Sequence, residues 1–321
     1  VFRSTPAPVK PPVGAHTPFD LKYLSRTGPT LIAVRPGELL GHLGEQGKET
    51  VDYARRALGA AFAFLDGDLK TADAPAAADV EELLLAGRLT LTVGKDADGS
   101  GTLGVESLNA GVVRTKKAFD WAGRVTKWFP KAEKAEHAGR AYYRVPAGAG
   151  KPPALCLLAA DDRTLAFDVD EKRMTDLLDR LKKDQKPVAP AGWDEVARDA
   201  VALAHDTAAD GWLTAPETPE RAIDRALVTL GRKTTGLAVG FSAGDRTTVR
   251  VVITAADAAA ARDVRPALEA VVGRLADEAD LGPAAKLFAR AAVTRDGKMV
   301  RAHGTLPENL LRKLAVPPAD R

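Results

Sequence analysis

The chain has 321 residues, of which 45% are hydrophobic and only 5% are aromatic. This length predicts two domains of about 150 residues each, with interiors built mainly from Leu, Val and Ala. The 46 basic residues are nearly balanced by 43 acidic ones, which argues against a dedicated nucleic-acid-binding protein, since such proteins carry a concentrated basic surface.

Residues 1–18 contain a Pro-rich run from Thr5 to Pro12, which predicts an extended tether. The sequence begins at Val1 rather than at an initiator Met. A signal peptide or membrane anchor upstream of Val1 would fit this pattern. The apolar runs within the chain are far shorter than the roughly 20 residues that cross a bilayer.

Residues 19–183 are predicted to form the first domain. It opens with a strand at 30–34, a short helix that starts at Pro36, and an amphipathic helix whose apolar face runs from Val51 to Leu65. A hairpin follows, because the strand-like runs 89–93 and 102–105 flank a Gly-rich segment. Later elements are a helix at 117–129, strands at 142–145, 154–158 and 164–169, and a closing helix with Met174 and Leu181 on its apolar face.

Residues 184–192 have the Pro-containing composition of a linker, and 193–321 are predicted to form the second domain. Helices are expected at 193–207 and 219–230, followed by strands at 236–242 and 247–254. A helix kinked or restarted at Pro266 comes next, then two strands that meet at Asp296-Gly297. Thr305, Pro307 and Glu308 are expected to cap a final helix.

The second half repeats the pattern of the first. Leu310, Leu311 and Leu314 have the spacing of Leu177, Leu178 and Leu181, which indicates an internal duplication. The predicted fold is therefore α+β, with two similar halves that each contain an antiparallel, hairpin-rich sheet packed with helices.

Ser242 lies in Gly240-Phe-Ser-Ala-Gly244, which matches the nucleophile elbow of Ser hydrolases, and His303 follows later in the chain. An elbow needs a helix after the serine, whereas 246–254 is β-branched and strand-like. We therefore expect Ser242 to be a hairpin residue, and a hydrolase that uses Ser242 is the alternative.

The Gly-rich segment of the first hairpin resembles the start of an EF-hand loop. Asp96, Asp98 and Ser100 could supply oxygen ligands to calcium, with Gly101 at the turn. The twelfth position is Ser107 instead of a bidentate Glu, so an acidic surface turn is the alternative. The same glycines match a dinucleotide fingerprint as a string, but a strand follows where that site needs a helix.

A basic segment interleaves cations with aromatic residues, a composition typical of polyanion or membrane-surface contacts. In the alternative interpretation, Phe119, Ala122, Val125 and Phe129 form a core-facing stripe with the cations on the solvated side. The cations proposed to bind a polyanion are Arg114, Lys116, Lys117, Arg124 and Lys127.

The remaining titratable residues form no recognisable catalytic group. His205 beside Asp206 is expected on a helix at the apolar boundary, and Asp168 and Asp170 are expected to be turn and helix-start residues. The five histidines are too scattered for metal-ligand pairs. Cys156 lies in an apolar run and is expected to be a buried thiol.

Several short phrases resemble uncharacterised bacterial domains found outside the cytoplasm, which are often attached to membrane-anchored or regulatory proteins. The phrases are 33–40, 113–115, 118–121, 142–143 and 161–167. The resemblance implies an extracytoplasmic location and provides no catalytic residues. The sequence thus predicts a non-enzymatic binding or interaction module without a cofactor, whose partner is an unknown protein or small ligand.

Overall fold

A single, mainly antiparallel sheet with helices on both faces forms the α+β fold. The computed structural model describes residues 16–25, 28–39, 74–93, 101–146, 155–208, 213–214, 221–242, 246–277 and 291–307. The strands are β1 (Thr30–Val34), β2 (Val80–Val93), β3 (Gly101–Thr115), β4 (Glu133–His137), β5 (Arg140–Val145), β6 (Leu155–Ala159), β7 (Thr164–Asp168), β8 (Val201–His205), β9 (Leu213–Thr214), β10 (Thr234–Ser242), β11 (Arg246–Ala255), β12 (Ala292–Asp296) and β13 (Met299–Pro307). The helices are α1 (Trp121–Trp128), α2 (Glu171–Lys182), α3 (Trp193–Val196), α4 (Ala222–Lys233) and α5 (Ala260–Ala276).

The strand order is β12-β13-β11-β10-β8-β1-β2-β3-β7-β6-β5-β4, with β9 paired in parallel to β2. The two predicted halves meet at the centre of this sheet. There, β1 and β8 run antiparallel, with Ile32 opposite Leu203. One continuous sheet thus replaces the two separate sheets that the sequence predicted, because local hairpin signals do not show how the halves join.

Side-chain alternation along the strands creates two buried faces. The first face carries Leu31, Ala33 and Ala204 and is covered by α2, α3 and the segment 16–25. The second face carries Leu83 and Ile253 and is covered by α1 at one end and by α4 and α5 at the other. The small Ala side chains of the central strands let α3 and the segment 16–25 lie close to the sheet.

Most predicted elements in the described part of the chain are confirmed. They include the strands near 30–34, 142–145, 154–158, 164–169, 236–242 and 247–254, and the helical turn that begins at Pro36. The hairpin at Asp296-Gly297 is also confirmed, and Gly297 has the positive φ of 57° that such a turn favours. The predicted helices at 51–65 and after 308 lie outside the described residues.

Three local predictions are wrong. Residues 201–205 form β8 instead of continuing the helix that begins at Trp193. Thr305 lies in β13, where it cannot cap a helix. Ala122 is exposed, and Trp121 takes its place on the buried face of α1. Helix α5 continues through Pro266 without restarting, and a kink at Pro266 stays a prediction.

Residues 185–190 form neither helix nor strand, as the linker composition suggests, while the division into domains at this segment stays a prediction. No helix among the described residues combines the length and the apolar composition needed to span a membrane.

Candidate functional site

Ser242 ends strand β10 and lies opposite Thr248 on β11. Its Oγ donates a hydrogen bond to Oδ1 of Asp199. The next described element is β11, which begins at Arg246, so no helix follows the serine closely enough to form a nucleophile elbow. The expectation that Ser242 is a hairpin residue is therefore confirmed.

Asp199 lies between α3 and β8, and it is 0% exposed. Its Oδ1 also accepts a hydrogen bond from Nη2 of Arg250 on β11, whose side chain is 12% exposed. The main-chain oxygen of Asp199 accepts a hydrogen bond of 2.6 Å from Nη1 of Arg35. Asp199 thus joins three parts of the chain, and its Oδ1 is shared by a hydroxyl and a guanidinium.

His303 on β13 lies directly opposite Arg250 in the sheet. Burial and the charge of Arg250 lower the imidazole pKa, while Asp199 opposes this effect. In a Ser hydrolase, a histidine accepts the serine proton, whereas Ser242 donates to a carboxylate that is already paired with Arg250. The arrangement is therefore that of a buried, hydrogen-bonded ion pair.

The ion pairs extend across the sheet from Asp199. Arg35 Nη2 lies 3.6 Å from Glu82 Oε1, and Glu82 Oε2 accepts a hydrogen bond of 3.1 Å from Arg114 Nη1. We call this set the polar row; it consists of Arg114, Glu82, Arg35, Asp199 and Arg250. The polar row crosses the central strands on the first face, close to the last residue of β1 and the first residues of β2.

Burial shifts the pKa of two members of the polar row, Glu82 and Arg35. It raises the pKa of Glu82, although the positive charges of Arg114 and Arg35 act in the opposite direction. It also lowers the pKa of Arg35, against the carboxylates around it. For these two groups burial costs the ionised form more than the paired charges return, whereas the carboxylates of Asp20 and Glu82 raise the pKa of Arg114 in spite of its burial.

The five cations predicted to bind a polyanion have different surroundings in the structure. Arg114 belongs to the polar row and pairs with Asp20 at 2.9 Å as well as with Glu82. Arg124 lies 5.7 Å from the ring centroid of Phe119. Lys116, Lys117 and Lys127 are exposed near α1. Polyanion binding by these residues stays a prediction, with Arg114 already engaged in ion pairs.

The calcium ligands Asp96, Asp98 and Ser100 lie outside the described residues, so calcium binding also stays a prediction. Among the residues that are described, no group of three His, Cys, Asp or Glu side chains could hold a metal ion.

Two other predicted polar residues are now placed. Asp170 caps the start of α2, where its side chain accepts a hydrogen bond of 2.8 Å from the Lys172 amide, as expected. His205 was expected on a helix, but it lies on β8, and its Nδ1 is 2.7 Å from Thr30 Oγ1. Here the central strand pairing overrides the helix propensity of the Ala- and Leu-rich segment.

Sequence reasoning missed Asp199, Arg35 and Glu82. Asp199 is surrounded by Ala and Arg in the sequence, a pattern typical of a solvated helix. One signal was present in the sequence. Gly240 can lie opposite Arg250 across the predicted hairpin, and a glycine inside a strand often marks a position where another part of the chain lies close to the sheet.

Comparisons with known proteins place this chain in no family. No family model matches it, and no curated protein matches it. Solved structures of TP0453 are weakly similar. Crystal form I has a TM-score of 0.45 and 8% sequence identity, with 93% of this chain and 96% of that chain covered. Crystal form III has a TM-score of 0.43 and 9% identity, with 93% and 98% covered. Similarity at this level gives no basis for transferring a function.

Proposed function

We propose that this protein is a non-enzymatic interaction module that acts outside the cytoplasm. The main support is the pairing of Ser242. The residue that most resembles a nucleophile donates to a fully buried carboxylate, which Arg250 also binds. In the described part of the chain, this hydroxyl is hydrogen-bonded to a carboxylate that also pairs with Arg250, and not to an imidazole as in a Ser-His-Asp triad.

The Ser242→Ala variant tests the non-enzymatic part of the proposal. We expect wild type and variant to hydrolyse a panel of p-nitrophenyl esters at the same background rate, because Ser242 contributes to structure alone. His303→Ala serves as a second variant, and thermal unfolding verifies that both remain folded. A loss of esterase activity of tenfold or more in Ser242→Ala would establish the hydrolase alternative.

The free edges of the sheet support an interaction role. In the described structure β4 and β12 each have one neighbouring strand. On β4, the charged and exposed residues Glu133, Lys134 and Glu136 discourage pairing with another strand. On β12, the run from Ala292 to Thr294 is uncharged. A partner that adds a strand to the sheet would therefore use β12.

Photo-crosslinking can locate the partner on this edge. We expect a photoreactive amino acid at position 295 on β12 to give a discrete adduct in cells that express the chain. The same amino acid at position 136 on β4 is the matched control and should give none. Equal adduct patterns at the two positions would argue against binding at β12.

We also propose that the two halves are repeats. In each, a central strand is followed by a long hairpin and a helix, and a later strand then pairs with the second hairpin strand. The hairpins are β2-β3 and β10-β11, and the later strands are β7 and β13. The antiparallel pairing of β1 with β8 would relate the halves by a local two-fold axis.

The extracytoplasmic location rests on the resemblance of short sequence phrases and on the Pro-rich residues 1–18. It is tested by protease treatment of cells that carry the full-length gene product and whose outer envelope has been opened while the cytoplasmic membrane stays intact. Digestion of the protein, while a cytoplasmic marker stays intact, is the expected result. Protection until the cells are lysed would contradict it.

A further inference from the structure

Residues 16–25, which we call the strap, cross the first face of the sheet without forming a strand. At one end, the Phe19 amide donates a hydrogen bond of 2.9 Å to the Ala197 main-chain oxygen. The centroid of the Phe19 ring lies 3.8 Å from the guanidinium carbon of Arg35. At the other end, Arg180 Nη2 donates to the Leu24 oxygen at 2.7 Å. The strap thus contacts residues from both halves.

The second end of the strap is fixed by a buried carboxylate. Ser25 Oγ donates a hydrogen bond to Oδ2 of Asp168 at the end of β7, and Asp168 is 0% exposed. Oδ1 of Asp168 accepts a hydrogen bond of 2.8 Å from the Asp170 amide. Neither donor carries a positive charge, so among the described residues no cation is hydrogen-bonded to this buried carboxylate.

We infer that release of the strap from the sheet is coupled to ionisation of Asp168. While the strap is closed, Asp168 is shielded from water by Ser25 and its neighbours. When the strap opens, water reaches the carboxylate and solvates its charge. Ionisation therefore favours the open state, and protonation favours the closed state.

The charged and titratable groups around Asp168 agree with this assignment. At the start of α2, the charge of Asp170 raises the pKa of Asp168 and the charge of Arg173 lowers it. On β6, Cys156 lies directly opposite Asp168 in the sheet. Burial raises the pKa of Asp168 from 3.8 to about 6, against the hydrogen bonds from Ser25 and the Asp170 amide and the charge of Arg173. Burial, with Glu171 and Asp168 nearby, raises the pKa of Cys156 to about 12, so it stays a neutral thiol.

The sign and size of the coupling follow from proton linkage. The closed state binds the proton more tightly than the open state, so closure is most stable below pH 3.8 and weakens as the pH rises through 6. If the open state has the ordinary Asp pKa, the opening constant increases about tenfold between pH 5 and pH 7.

Hydrogen exchange of the Leu24 amide measures this opening, since that amide donates to the Leu21 oxygen at 3.0 Å beside Ser25. After correction for the intrinsic exchange rate, we expect about tenfold less protection at pH 7 than at pH 5. The Asp168→Asn variant should show no such pH dependence. Asp176→Asn, which changes an exposed Asp of α2, is the matched control and should behave as wild type.

Ser25→Ala provides a second variant that keeps the carboxylate. It should lower protection at both pH values and keep the pH dependence, because Asp168 is still buried. The inference is overturned if Asp168→Asn keeps the tenfold change, or if wild type shows none. It is also overturned if the amides of β7 lose protection equally, because the whole protein would then be opening.

Discussion

Replacing Asp199 with alanine is expected to lower the free energy of unfolding by about 3–5 kcal/mol. The substitution removes the carboxylate that binds Arg250 and Ser242. Because the Arg250 side chain is 12% exposed, its charge would remain buried without its partner. Urea unfolding followed by tryptophan fluorescence measures the change, since Trp193 is buried in α3, the short helix that precedes Asp199.

Two controls separate this effect from the general loss of an ion pair. Asp263→Ala breaks the exposed pair with Lys233 and should cost less than about 1 kcal/mol. Combining Asp199→Ala with Arg250→Met removes both charges and should recover part of the loss. Equal costs for Asp199→Ala and Asp263→Ala would show that the buried pair does not hold α3 against the sheet.

The sequence predicted the α+β class and most strands because their residues alternate or form short apolar runs between turns. The strands at 164–168 and 234–242 follow this rule. Strand β4 was missed because its sequence, Glu-Lys-Ala-Glu-His, is dominated by charge. It lies at the edge of the sheet, where charged residues are common.

Strand β8 was missed for a different reason. Its sequence, Val-Ala-Leu-Ala-His, contains good helix formers, and only its position between β1 and β10 makes it a strand. Ala202 and Ala204 are fully buried beneath the covering segments. Tertiary packing thus determined the structure where local propensity pointed to a helix.

The polar row could not be predicted because its members are far apart in the sequence. Arg35 follows β1, Glu82 lies near the start of β2 and Asp199 precedes β8. Strand order alone brings these three residues together. By contrast, the exclusion of an elbow at Ser242 needed only the local strand pattern after it, so that part of the sequence interpretation was reliable.

Gly240→Ala is expected to lower the free energy of unfolding by about 1–3 kcal/mol. Alanine is normally preferred to glycine in a strand, but a Cβ at position 240 would overlap Oδ2 of Asp199 and lie 2.9 Å from Cγ1 of Val196. Asp199 cannot move away without losing Ser242 and Arg250. The substitution would therefore separate α3 from β10 or break the buried ion pair.

Gly273→Ala is the matched control for this substitution. Gly273 lies in α5, and no atom of the described residues would lie within 4 Å of a Cβ there. Because glycine weakens helix interiors, Gly273→Ala should stabilise the protein by about 0.5–1 kcal/mol. The same chemical change is thus expected to have opposite signs at the two positions in thermal and urea unfolding. A neutral or stabilising effect of Gly240→Ala would mean that Asp199 does not lie against β10. It would then contradict the hydrogen bonds of Asp199 to Ser242 and Arg250.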